Sequence, residues 1–256
     1  MAAKNKFMNA MKMPAIADMF SSEADRQRES GDLVTEVPLS ELHPFVNHPF
    51  EVRDDEDMQK LVDSIKENGV LTNLTVRPRA EGGYEIISGH RRFHAAQLAG
   101  LDKIKVQVRD VDDDQAIIDM VDANIQREHI SPMEKARALK MKNEAMKRSA
   151  GRRKENGCQL DTHFPEAKTA TQIGADVGES PKQIFRYIRL NELIPELQKK
   201  VDSNTLKFNP AVELSYLTPD EQQSFLDYAE AQDCTPSLSQ AQKLKAASKD
   251  LSLIHI

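Results

Sequence analysis

Strand-like patterning is confined to the first half of this chain. Leu74-Thr75-Val76-Arg77, Tyr84-Glu85-Ile86-Ile87 and the run 104–108 are short and rich in β-branched or aromatic residues. After residue 130 no such run returns, and apolar residues recur at helical spacing instead. That change of period dictates a two-part architecture. An α+β N-terminal domain, with a small mixed sheet and helices, precedes an all-α domain. The length of 256 residues agrees with this division, since a domain takes ~150 residues.

In the first part, ordered chain is expected from Thr35-Glu36-Val37-Pro38-Leu39 onward. A helix is predicted over 55–68, because Met58, Leu61, Val62 and Ile65 form one stripe. Asp and Glu crowd its first turn and Gly69 stands where a C-terminal glycine belongs. The acidic run 54–57 is therefore a helix start, not a metal site. Glu81-Gly82-Gly83 makes a turn, so 71–87 reads as a hairpin. A second acidic run, 110–114, leads into a helix over 113–125 with Ala116, Ile117, Met120 and Val121 on one face.

Three later helix starts are explicit. Ser131-Pro132-Met133-Glu134, Ser180-Pro181-Lys182-Gln183 and Thr218-Pro219-Asp220-Glu221 fit the capping box with Pro at the first helical position. Residues 149–167 read as a loop. The expected division is a flexible tail (1–33), an α+β domain (34–130), a helical domain (131–217) and a C-terminal helical segment (218–256). The closing Leu251-Ser252-Leu253-Ile254-His255-Ile256 resembles translated adapter sequence, so the native C-terminus is expected to be missing.

Composition narrows the function classes. No window holds the ~18–20 apolar residues of a membrane span, and the N-terminus lacks a signal-peptide core. A cytoplasmic protein is expected. Cys158 and Cys234 form no CxxC pair, which argues against a disulfide framework or a thiolate zinc site. The net charge of −6 hides segregation: from Glu134 to Lys154, nine basic residues stand against two glutamates. Such asymmetry points to an acidic partner.

Three constellations carry chemistry. Gly89-His90-Arg91-Arg92 lies between a strand and a helix. Glycine permits close backbone approach, the helix N-terminus offers free N–H groups, and two arginines supply forked donors, together a phosphate cradle. The plain alternative is a strand–helix turn with two surface arginines. Asn124-Ile125-Gln126-Arg127-Glu128 places an amide and a guanidinium three residues apart, on one face if the segment is helical; the alternative is a polar helix end. The run 169–190 reads as two short helices around a turn opened by Gly178. Ile173 and Val177 face inward on the first; Ile184 and Ile188, with Phe185 beside them, do so on the second. Lys182, Gln183, Arg186 and Arg189 then point outward, as in a helix-turn-helix whose second helix enters the major groove. Gln183 suits a base edge, and Lys182 and Arg189 suit phosphates. Thr171, Gln172, Ser180 and Tyr187 complete the candidate DNA-facing set. The basic stretch 135–154 supports the same reading.

These segments in this order resemble the ParB family of chromosome- and plasmid-partition proteins. The resemblance rests on 84–96, 106–110, 124–128 and 131–136, followed by the helix-turn-helix, and covers roughly residues 34–217. It implies a ParB/sulfiredoxin-like N-terminal fold that binds CTP with Mg²⁺. Ser88 and Gly89 through Arg92 match the family's phosphate motif. Asn124, Gln126 and Arg127 match its second nucleotide motif, with Asn124 near the metal. Gly69, Thr72 and Asn73 belong to a box near the nucleobase. A homodimer closing as a clamp on double-stranded DNA with a palindromic site is implied, with a possible ParA-type ATPase as partner. The tail carries Lys4, Lys6 and Lys12 but no arginine in its first 20 residues, so the ATPase role has weak sequence support.

Three positions depart from the family. His90 stands where Glu is common, Asn73 where Pro is common, and Ala123 where a glutamate associated with hydrolysis precedes the motif Asn. At most weak CTPase activity is expected, and no catalytic residue is assigned. The Gly-His-Arg-Arg version resembles those of mobile elements and phages. The competing reading is a helix-turn-helix transcription regulator that has lost the nucleotide switch. A sulfiredoxin-like enzyme is disfavoured because no cysteine lies in 34–130, and no carboxylate set suits a nuclease.

Overall fold

The computed structural model describes residues 33–127, 130–154, 165–232 and 234–254. Residues 1–32 of the expected tail lie outside these. The chain divides into two compact units, one of residues 1–43 with 59–110, the other of 44–58 with 111–256. The division thus falls between Asp110 and Val111, where the sequence reading placed it after residue 130.

The first unit is built on a five-stranded mixed sheet of order β1-β5-β3-β4-β2. Its strands are β1 (Leu33–Pro38), β2 (Leu42–His43), β3 (Leu74–Pro78), β4 (Tyr84–Ser88) and β5 (Lys103–Val108). β3 and β4 form the predicted antiparallel hairpin, with a bulge between Thr75 and Val76. β5 returns parallel to β3, pairing Leu74 with Val106, and antiparallel to β1. A parallel return needs a crossover, and helix α2 (His90–Ala99) lies on it; helix α1 (Glu56–Asn68) precedes β3. Alternation on β3 and β5 sends Leu74, Val76, Ile104 and Val106 into the core, where they meet Ile86, Phe93 and Ala96. β1 and the two-residue β2, the sheet edges, were not assigned as strands from sequence; their partners are remote in the chain.

The second unit is helical: α3 (Asp113–Asp122), α4 (Pro132–Lys154), α5 (Pro165–Val177), α6 (Pro181–Arg189), α7 (Pro195–Asp202), α8 (Phe208–Leu214), α9 (Pro219–Ala231) and α10 (Leu238–Ile254). Of the expected loop over 149–167, residues up to Lys154 belong to α4 and those from Pro165 to α5, while 155–164 lie outside the described residues. All three anticipated caps form. Ser131 and Glu134 exchange side-chain and backbone bonds, as do Thr218 and Glu221, while Ser180 accepts from the Gln183 amide. The core gathers Met133 and Ala136 with Leu190, Leu197, Leu206, Leu214, Leu226 and Ala241. Gln222 is buried among them, accepting from the Ile194 amide and donating to the Glu192 and Leu217 carbonyls. A buried amide must be so satisfied. Leu226 of α9 and Ala241 of α10 thus bring both helices into the second unit's core.

Candidate nucleotide motifs and helix-turn-helix

In the first unit, β4 ends at Ser88 and the chain turns on Gly89 into α2. Gly89 has φ 104°, a left-handed conformation that side chains resist. A Cβ there would lie 2.9 Å from Leu74 Cγ and 3.2 Å from Arg92 Nη2. Sterics therefore demand glycine twice over. Arg92 folds back across this turn and donates from Nη1 to the Thr72 carbonyl at 2.6 Å and the Asn73 carbonyl at 2.8 Å. One guanidinium thus locks the loop after α1 to the start of α2. His90 is buried and Arg91 half-buried. Gly69 opens the loop with φ 69°, its amide donating to the Ile65 carbonyl at 2.9 Å. The structure brings Thr72, Asn73, Gly89 and Arg92 together directly, with Ser88, His90 and Arg91 adjoining them in sequence.

Asn124, Gln126 and Arg127 belong to the second unit. The predicted helix over 113–125 ends at Asp122, and residues 123–126 form a turn. The reason is local: Asn124 donates its side-chain amide to the Met120 carbonyl at 2.7 Å, capping α3. Asn124 and Arg127 therefore share a turn, closed by the Arg127 amide donating to the Asn124 carbonyl, not a helix face. Asn124 is buried, while Ala123, Gln126 and Arg127 are exposed.

Sequence reading missed His48 as a neighbour of this turn. Its Nδ1 lies 2.7 Å from the Phe50 carbonyl. Burial pushes its imidazole below the ordinary range, against the Phe50 bond, with the Arg127 charge lowering it further and Glu134 opposing. The Glu51 amide also donates to Glu134. The segment 44–54 has no periodic pattern that could have announced this packing.

The two short helices expected over 169–190 form as α5 and α6, with a turn at 178–180 between them. Gly178 has φ 75°, but Gly174 is the tighter constraint. A Cβ on Gly174 would lie 2.5 Å from the Glu179 carbonyl oxygen, and the Glu179 amide donates back to the Gly174 carbonyl. Ile173 and Ile184 are fully buried, as predicted, and Val177 and Ile188 partly so. Phe185 departs from its expected inward place: it is 39% exposed.

The outward set is less free than the helical wheel implied. Arg186 donates to Gln183 Oε1 and Asn209 Oδ1, and stacks over Phe208. Arg189 donates to the Ser215 carbonyl at 2.8 Å and lies over the Tyr216 ring. Tyr187 packs on Phe208, and the Lys135 ammonium lies over the Tyr187 ring. Lys182, Ser180, Thr171 and Gln172 are exposed, though the Ser180 hydroxyl caps α6.

The basic stretch is not a bare cationic face. Lys135 pairs with Glu179, Arg137 with Asp202, Lys140 with Glu192 and Arg148 with buried Asp114. Lys142 is 1% exposed and bridges Asp122 at 2.6 Å and Asp176 at 2.7 Å. The run serves as the polar spine joining α3 and the helix-turn-helix to α4, so its support for DNA contact is weaker than its sequence implied.

Sheet, glycine turn and downstream helices together define the class: a ParB-type N-terminal fold followed by helices. Residues 23–125 match the ParB N-terminal domain family. The chain is 28% identical over 233 residues to the chromosome-partitioning protein Spo0J of Thermus thermophilus, covering 88% of this chain and 78% of that one. It is 39% identical over 193 residues to a probable chromosome-partitioning protein ParB of Neisseria meningitidis, covering 75% of this chain. It spans 60% of that relative's own length. A solved pNOB8-like ParB N-domain shares the fold at TM-score 0.51 and 16% identity, covering 78% of this chain and 84% of that one. By that match, residues 23–125 belong to the ParB N-terminal domain family.

Proposed function

We propose that this chain is a CTP-binding, site-specific DNA-binding protein of a DNA partition system. The observation that carries the reading is the Gly89 turn: a strand ends, a left-handed glycine opens a helix N-terminus, and arginines stand in its first turn. The N–H groups of a helix N-terminus, the positive end of the helix dipole and a guanidinium suit a polyphosphate. Arg91 is the candidate phosphate donor, with Arg92 holding the loop that carries Thr72 and Asn73. The family resemblance adds Asn124, Gln126 and Arg127 to the nucleotide. The two relatives described above are named for chromosome partitioning, which supports the biological role.

Among the described residues, no group of three or more His, Cys, Asp or Glu is placed to hold a metal ion. Mg²⁺ fits only if nucleotide phosphates supply most of its ligands, with the Asn124 carboxamide oxygen as the protein's share, a usual arrangement for this ion. Ala123 offers no carboxylate to orient water, so nucleotide is bound and at most slowly hydrolysed. The helix-turn-helix of a homodimer reads a palindromic duplex. A ParA-type ATPase partner and a cytoplasmic, nucleoid- or plasmid-associated location complete the reading, in a variant of mobile-element type. Among the described residues no helix is long and apolar enough to cross a membrane.

The test is calorimetric titration of CTP with Mg²⁺, with ATP, GTP and UTP as controls, with and without a mixed-sequence duplex pool. Selective CTP binding that is lost in Arg91→Ala and Asn124→Ala supports the reading. If no nucleotide binds while DNA binding persists, the protein is a helix-turn-helix regulator on a scaffold without the switch.

A further inference from the structure

We infer that Phe185 reads the C5-methyl group of a thymine at one position of each DNA half-site. The inference rests on the reading of α5 and α6 as a DNA-binding helix-turn-helix.

Phe185 is the one large apolar side chain of α6 that is exposed, at 39%, while its neighbour Ile184 is completely buried. An aromatic ring left in water costs free energy unless a partner covers it. At 100° per residue, Phe185 shares a stripe of α6 with Lys182, three positions earlier, and Arg189, four later. Lys182 is exposed. An apolar ring beside a cation on the helix that follows the turn matches the major groove, which offers phosphates at its rim and thymine methyl groups on its floor. The surrounding polar groups narrow the choice. Arg186 is held by Gln183 and Asn209, and Arg189 by the Ser215 carbonyl and the Tyr216 ring. Side chains already bonded within the protein are poorly placed to swing to a base edge. That leaves the apolar contact of Phe185 to add discrimination beside the base-edge contact expected of Gln183.

The experiment uses the full chain. Duplexes are selected by the wild-type protein from a random pool, then resynthesised with deoxyuridine replacing thymidine at one position at a time. Uracil keeps every hydrogen-bonding group of thymine and lacks only the methyl. Removing one buried methyl contact weakens binding about fourfold, so one thymine per half-site is expected to show that loss. Phe185→Ala binds the thymine duplex more weakly and no longer distinguishes it from the uracil duplex; Phe185→Leu retains part of the distinction. Circular dichroism checks that each variant is folded. The inference is overturned if every uracil replacement is neutral for the wild type, or if Phe185→Ala discriminates as the wild type does. If the wild type selects no duplex at all, the DNA-binding reading itself fails and this inference falls with it.

Discussion

Single residues set the limits of both candidate motifs. Gly174 sits inside α5, where alanine is normally the better helix former. Its Cβ would meet the Glu179 carbonyl oxygen at 2.5 Å, so Gly174→Ala must open the helix-turn-helix turn. We expect a loss of about 1–3 kcal/mol by urea denaturation, in the range of overpacked sites, together with weakened DNA binding. His48 gives a second prediction at this scale. Its folded pKa lies below the ordinary value, chiefly through burial. In that window the unfolded chain binds the extra proton, so acid favours unfolding. The His48 contribution is complete above about pH 6.5 and is lost as pH falls through the folded value. His48→Gln should flatten this part of the stability–pH curve; an unchanged slope would assign it elsewhere.

At the scale of elements, α4 stands out as a helix whose charge is spent internally. Lys142 sends its ammonium to Asp122 at the end of α3 and to Asp176 in α5. The two aspartates are 44% exposed, whereas Lys142 is 1% exposed. The asymmetry fixes an order of effects. Removing both carboxylates, as Asp122→Ala with Asp176→Ala, strands a buried ammonium, and costs of about 3–5 kcal/mol attend such cases. Lys142→Met leaves two carboxylates that can turn to water and should cost less. Chemical denaturation of the two variants gives the comparison; a larger loss for Lys142→Met would refute the burial argument. The same triad joins the turn bearing Asn124 to the first helix of the helix-turn-helix through one side chain.

For the whole molecule, charge distribution predicts how DNA binding responds to salt. The chain carries −6 overall, and much of its basic run is neutralised within the second unit. Few phosphates can then be matched, and log affinity should fall with log salt on a shallow slope. Lys182→Ala should lower that slope by about one per bound protomer. Lys140→Ala, whose cation faces Glu192 at 3.5 Å, should change it less. Titrations at several salt concentrations separate the two, and equal effects would show that the α4 ion pairs open on DNA.

Features that depend on neighbours along the chain are readable from the residues alone. The β3–β4 hairpin, the caps at Ser131, Ser180 and Thr218, the Gly89 turn and the two helices of the helix-turn-helix all follow from period and local chemistry, so they were legible. The ParB resemblance was legible for the same reason, since its motifs are short runs in fixed order. Tertiary structure decided what depends on residues far apart. Strand β1 exists because β5 pairs with it, and His48 meets the Arg127 charge only after folding. Arg186, Tyr187 and Arg189 look outward on a helical wheel, yet α8 and the residues after it supply them with partners. A wheel knows only its own helix. Whether an outward arginine meets water, DNA or another helix is settled by packing, because a charged donor takes the nearest acceptor that the fold provides.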